Sequence, residues 1–365
     1  MPKSKKKSSA KFNFKLEFSY LTYLLRRLFF NKLVKIVLIT LISFFIIAVI
    51  LFLILRPKIQ ENINYGVNFS NKYASDLGMN WQDSYIEILD VLNVKNIRLV
   101  AYWDEIEQKN GTYDFTNITW QLNEAQRRDI NVILVVGRKV PRYPECHEPS
   151  WWRNMTDKKA KDEELYQYIE DSVSSLKDYS AIKTWQVENE PFFPFGDCEK
   201  ISLETVKKEV EIVRGIDSRP ILIQDSGEGG IWFPSYNAGD YLGISMYRRI
   251  WYNFWNVFFG RFIYFEYPLS YWSYKIKAGL VGIPYEKVIV TELQAEPWGP
   301  AINSELSQSE KDKTMSKHDF LTTITYAQKA GFKDLYFWGA EWWLYEKNVN
   351  NNSYFWDTAK VVIED

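Results

Sequence analysis

From Tyr65 to the end of the chain, short apolar runs alternate with polar stretches whose hydrophobic residues recur every three or four positions. That order admits few folds, because strand followed by helix, repeated, predicts βα units and a parallel sheet. Eight strand-like runs stand out: Tyr65 to Phe69, Ile97 to Ala101, Val132 to Val136, Thr184 to Val187, Ile221 to Gln224, Leu242 to Ser245, Val288 to Thr291 and Leu335 to Trp338. Between them, Ser84 to Leu92, Thr119 to Arg128 and Glu163 to Leu176 carry the spacing of crossover helices. Eight units over about 300 residues are what a (β/α)8 TIM barrel requires. An open doubly wound sheet shares the periodicity, but its dinucleotide-binding form needs a glycine-rich first turn. Tyr65-Gly66-Val67-Asn68-Phe69-Ser70 has no GxGxxG. The expected architecture is therefore an α/β barrel over 65–365.

A different kind of segment precedes it. Ile36 to Leu55 is twenty residues without a charge, Gly or Pro, long enough as a helix to span the roughly 30 Å hydrocarbon core of a bilayer. A secretory signal is the alternative, but the run exceeds a usual apolar region of about 7–15 residues, and Leu55-Arg56-Pro57-Lys58 offers no small-residue cleavage site. The reading is a basic cytoplasmic segment (1–35), a transmembrane anchor (36–55), a short linker (56–64) and an outer domain. The formal net charge is -1, yet ten Lys and Arg precede the apolar run against Glu17 alone, from Lys3 to Lys35. The positive-inside rule then keeps the amino terminus in the cytoplasm and the barrel outside. The lipid bilayer is the expected partner of the basic end, and nucleic acid is not.

Two cysteines, Cys146 and Cys198, fall after the third and fourth strand-like runs. Neighbouring strands of a barrel bring those loops side by side, so a disulfide is expected there, with two free thiols as the alternative. With only two histidines and no CxxC pair, no metal centre is expected, and no cofactor.

Two carboxylates close apolar runs: Glu190 in Thr184-Trp185-Gln186-Val187-Glu188-Asn189-Glu190-Pro191, and Glu292 in Val288-Ile289-Val290-Thr291-Glu292-Leu293. Barrel chemistry sits at the carboxyl ends of the strands. The tips of the fourth and seventh strands face one another across a narrow interior, so the two acids are expected to meet. Glycosidic cleavage needs such a pair, one protonated to assist the leaving oxygen and one ionised at the anomeric carbon. Like-charge repulsion would separate their pKa values.

These residues resemble the clan A superfamily of retaining glycoside hydrolases, which includes cellulases, mannanases and β-galactosidases on TIM barrels. The shared mark is Asn189-Glu190-Pro191 after the fourth strand. The resemblance implies Glu190 as acid/base, Asn189 as the holder of a sugar 2-hydroxyl, and Glu292 as nucleophile. It further implies that Arg98 supports the nucleophile, that Tyr247 donates a hydrogen bond to Glu292, and that Trp338 forms a floor for the reacting sugar. Trp103 to Phe115, WDEIEQKNGTYDF, resembles the segment that follows strand two in these enzymes. An oligo- or polysaccharide is the implied partner.

Glu188 lies two residues before Glu190, and strand alternation points both to one face; it is a candidate partner for Arg98 or Arg138. Gly137 to His147 is rich in basic groups, including Arg138, Lys139, Arg142 and His147, which suits either an acidic glycan or a solvated loop. Arg248 to Tyr274 packs thirteen aromatic residues after the sixth strand. A glycan-binding wall, a membrane-surface patch and a packed insertion are the competing readings. A noncatalytic glycan-binding barrel and a membrane scaffold are the alternatives to an enzyme.

Overall fold

The computed structural model describes residues 22, 23, 26, 27, 32–54, 57–253 and 262–364. The basic segment lies mostly outside the described residues, as does 254–261 within the aromatic-rich stretch. The chain divides into two compact units, Met1–Pro57 and Lys58–Asp365. In the first, Lys32–Ile54 is one continuous helix that includes four residues ahead of the apolar run. From Lys35 to Ile50 its side chains are exposed, with Phe44 and Phe45 at 73% and 69%.

The second unit is a closed barrel of eight parallel strands. They are β1 (Asn64–Asn68), β2 (Asn96–Val100), β3 (Asn131–Val136), β4 (Ile182–Val187), β5 (Ile221–Ser226), β6 (Tyr241–Met246), β9 (Val288–Gln294) and β10 (Asp334–Trp338). All eight strand-like runs are strands, and β1 pairs with both β2 and β10 to close the ring. The three amphipathic stretches are helices, over Trp81–Val91, Thr116–Gln126 and Lys158–Leu176. The aromatic-rich stretch contains an antiparallel hairpin of β7 (Arg249–Tyr252) and β8 (Ile263–Glu266), followed by the helix Trp272–Val281.

Strand alternation sorts the barrel residues. In β2, Ile97 and Leu99 join the apolar layer under the helices, as do Val132, Leu134 and Val136 of β3. The residues between them point inward, where Arg98, Gln186 and Gln224 form a polar layer beneath the mouth. Gly243 of β6 keeps that interior open, because a Cβ there would lie 2.7 Å from Leu222 and 3.0 Å from Thr291. The helix Lys158–Leu176 shows how the outer ring is held. Asp157 caps its first turn by accepting from the Ala160 N–H, and Leu165, Tyr168, Ile169, Val173 and Leu176 form its buried face.

Candidate active site

Arg98 rises from the middle of β2 into the barrel and is 1% exposed, not a surface residue. Its Nε donates to Gln186 Oε1 at 2.8 Å, Nη1 to Asn68 Oδ1 at 2.9 Å and to Glu292 Oε1 at 2.8 Å. Nη2 donates to Asn189 Oδ1 at 2.8 Å and to Gln224 Oε1 at 2.7 Å. All five guanidinium N–H groups are thus directed by five side chains from four strands, β1, β4, β5 and β9. A buried cation held this way is a rigid post, and Glu292 and Asn189 are both fastened to it.

Glu292 reaches the interior through a break in the β9 register. Ile244 of β6 faces Val290, but the next residue, Ser245, faces Glu292, leaving Thr291 as an extra residue. Strict alternation from Val290 would turn Glu292 outward with the apolar layer. The bulge turns both Thr291 and Glu292 inward, so Thr291 Oγ1 donates to Gln224 Oε1 at 2.7 Å and Glu292 Oε1 accepts from Gln224 Nε2 at 2.8 Å.

Glu190 arrives by a different route. β4 ends at Val187, and both Glu188 and Glu190 have positive φ, 58° and 46°. This is strained backbone for residues with a Cβ. The shared-face argument for Glu188 and Glu190 therefore fails, because alternation has already stopped. Glu188 turns back to accept from the backbone N–H of Arg138 (2.9 Å) and Lys139 (2.7 Å), and it hydrogen-bonds neither guanidinium. Gly137 permits this: its φ is 128°, and a Cβ there would lie 2.7 Å from the Glu188 carboxyl. Glu190 is buried, and its Oε1 accepts from the Ser245 hydroxyl at 2.6 Å. Burial first, then the negative charge of Glu292, hold its carboxyl well above the usual range, with the Ser245 hydrogen bond opposing. Two acids from β4 and β9 therefore meet at the mouth in contrasting surroundings, one ion-paired with Arg98 and one pushed toward protonation.

Three comparisons frame this barrel. No protein-family model matches the sequence, and no curated protein matches it. Among solved structures the chain is similar to an exo-β-1,4-mannosidase from Opitutaceae bacterium strain TAV5, with 13% identity, a TM-score of 0.52, and coverage of 84% of this chain and 62% of that one. It is also similar to GH5_18 from Bifidobacterium longum subsp. longum, with 13% identity, a TM-score of 0.53, and coverage of 76% and 70%. A β-galactosidase from the Antarctic haloarchaeon Halorubrum lacusprofundi gives 12% identity, a TM-score of 0.51, and coverage of 75% and 52%. The shared property is the barrel fold. The chain spans about half the length of that β-galactosidase.

The other expected residues divide. Asn189 stands beside Glu190, but its Nδ2 donates to Glu145 Oε2 at 3.0 Å. Glu145, from the loop after β3, is a third buried carboxyl in the centre, raised to about 7 by burial and then by the Glu292 charge. The expected hydrogen bond from Tyr247 to Glu292 is absent among the described residues; Tyr247 packs edge-on against Trp298 at 5.3 Å instead. Trp338 closes β10, yet its face is taken by the Arg142 guanidinium, 4.1 Å from the ring centroid.

The basic side chains of the loop after β3 are buried and each is taken up by protein partners, which removes the basis for expecting an acidic glycan. Arg138 pairs with Glu148 at 2.6 Å, Lys139 Nζ donates to the Glu190 and Phe193 carbonyls, and Arg142 pairs with Glu296 and Glu341. His147 is buried against Tyr102, with Nε2 3.0 Å from the Arg142 carbonyl, and so serves the loop rather than a ligand. The expected disulfide is present between Cys146 and Cys198, 52 residues apart. On the chain-entropy model a closure of that length contributes roughly 4 kcal/mol. No group of metal-ligating side chains occurs among the described residues.

Asn68, Gln186, Gln224, Glu145 and Ser245 were not singled out by sequence. A signal existed for the glutamines, each a lone amide inside an apolar strand (Thr184-Trp185-Gln186-Val187 and Ile221-Leu222-Ile223-Gln224). None existed for Glu145, whose position depends on loop folding.

Proposed function

We propose that this chain is a membrane-anchored retaining glycoside hydrolase that cleaves β-linked glycans by double displacement. The observation that carries the reading is the contrast between Glu190 and Glu292 at one barrel mouth. Burial and the neighbouring charge favour the protonated form of Glu190, as a general acid requires, while Glu292 is ion-paired with the Arg98 guanidinium. In the first step Glu190 gives its proton to the glycosidic oxygen as the Glu292 carboxylate attacks the anomeric carbon. The C–O bond to the leaving sugar breaks, and a glycosyl ester forms on Glu292. In the second step Glu190, now a carboxylate, takes a proton from water as that water displaces Glu292. Arg98 and Gln224 fix the nucleophile, and Ser245 orients the acid.

The test is turnover by the full-length protein in detergent on a panel of β-linked polysaccharides and aryl β-glycosides across pH. Hydrolysis is expected, with kcat/KM falling as pH rises through the elevated pKa of Glu190, because the free enzyme then loses its acid. Absence of hydrolysis throughout the panel would sink the reading.

Anchoring through 36–55 is supported by the helix Lys32–Ile54, whose stretch Lys32–Ile50 is long and apolar enough to cross a membrane and is not buried in the protein. The basic flank supports a cytoplasmic amino terminus and an extracytoplasmic barrel, where the disulfide would persist. The chain is expected to stay with the membrane pellet after an alkaline carbonate wash; release into the supernatant would reject the anchor.

A further inference from the structure

One half of the barrel mouth is sealed by side chains. Arg142 leaves the loop after β3 and crosses the tops of β1 and β2 to reach β10, and it has positive φ, 84°. Its guanidinium lies between two rings, with its Cζ 3.7 Å from the Tyr73 centroid and 4.1 Å from that of Trp338. At its edge it pairs with Glu296, which follows β9, and with Glu341, which follows β10, the latter at 3.0 Å. Glu341 also accepts from the Ser70 N–H at 2.7 Å, beyond β1. The Tyr102 hydroxyl, beyond β2, lies 2.7 Å from Ser70 Oγ and 3.2 Å from the Pro141 carbonyl. None of Arg142, Tyr73, Trp338, Glu296 and Glu341 is more than 8% exposed. Loops after β1, β2, β3, β9 and β10 thus form one closed wall with Arg142 at its centre.

The other half differs. Phe195, Tyr247 and Trp298, from the loops after β4, β6 and β9, are only partly buried. They form an edge-to-face cluster, with Trp298 5.7 Å from Phe195 and 5.3 Å from Tyr247. Such rings present apolar faces suited to the CH-rich side of a sugar.

The chemistry gives this asymmetry a direction. A general acid must face the leaving oxygen, so the departing part of the glycan lies on the Glu190 side, toward the loops after β4 and β6. The sugar that bonds to Glu292 lies on the other side, against the Arg142 wall. We infer that the site is blind on the glycone side, so that the protein removes one terminal sugar at a time from non-reducing ends and binds the remaining chain on Phe195, Tyr247 and Trp298. The inference rests on the glycosidase reading and adds the mode of attack, with Arg142 as the residue that sets it.

The experiment uses the full-length protein in detergent with β-1,4-linked hexaoses of glucose, mannose and xylose, fluorescently tagged at the reducing end. Early products are expected to be a free monosaccharide and a tagged pentaose. Arg142→Ala opens the wall and adds tagged di-, tri- and tetraoses at early times. Trp298→Ala, which leaves the wall intact, raises KM for the hexaose about fivefold, the size of one stacking contact. The rise in KM is expected to be larger for the hexaose than for a β-glycosyl fluoride, which has no sugar leaving group to stack. Internal cuts by the unaltered protein overturn the inference and leave the glycosidase reading standing. Failure to cleave any hexaose or fluoride rejects that reading and the inference with it.

Discussion

Glu190→Gln is expected to slow hydrolysis of β-linked glycans by roughly 10²–10⁴-fold, the contribution of a positioned acid. A β-glycosyl fluoride should still give a rapid burst of fluoride from this variant. Fluoride departs without a proton, so the first step does not need Glu190, whereas the second step needs it as the base. The glycosyl ester on Glu292 should therefore accumulate, and intact-mass measurement should find the variant heavier by one glycosyl unit, with the addition on the peptide that contains Glu292. Glu292→Gln should lose both reactions, on the order of 10⁴-fold or more, with no burst and no adduct. An adduct on any residue other than Glu292, or a fluoride burst from Glu292→Gln, would rule out the assigned roles. Both changes keep the side-chain volume, and circular dichroism should show the parent fold.

The second large effect is structural. Arg98→Met removes a cation whose side chain is fully buried and leaves Glu292 Oε1, Asn68 Oδ1, Gln186 Oε1, Asn189 Oδ1 and Gln224 Oε1 without that donor. Breaking a buried ion pair from one side typically costs about 3–5 kcal/mol. Denaturant unfolding of the variant should show a loss of that size, with no measurable hydrolysis. Arg98→Lys should recover little, since one ammonium has three donors where five acceptors wait. A variant with parental unfolding midpoint and rate would show that the buried post is dispensable. The double variant Arg98→Met with Glu292→Gln should recover part of the stability, because the uncompensated charge is then gone.

The architecture was legible in the sequence because it depends on properties that repeat. Eight apolar runs and the amphipathic stretches between them report burial residue by residue, and a parallel barrel needs both. The bonded cysteine pair was legible for a related reason: once strand order is known, loops after adjacent strands are neighbours. Arg98, Asn189, Glu190 and Glu292 stood out in the sequence because they sit at strand interiors or ends, where a polar residue contrasts with apolar neighbours.

Direction and occupancy were not legible in this way. Glu188 and Glu190 share a parity, yet positive φ at both sends one to the backbone of the loop after β3 and the other to Ser245. Glu292 would face the helices by simple alternation, and it faces Arg98 because a single extra residue at Thr291 shifts the register of β9. The face of Trp338 is covered by a guanidinium that arrives from a loop nearly two hundred residues earlier in the chain. By itself, the sequence determined the strand count, the amphipathic helices, the apolar amino-terminal segment and that Glu190 and Glu292 stand at strand ends, since each follows from local composition and period. Only the tertiary structure decided which way those acids point, that Glu145 joins them, and that Arg142 closes one side of the mouth. Those outcomes depend on bulges, strained dihedrals and ion pairs between distant loops, whose energies arise only when the chain has closed into a barrel.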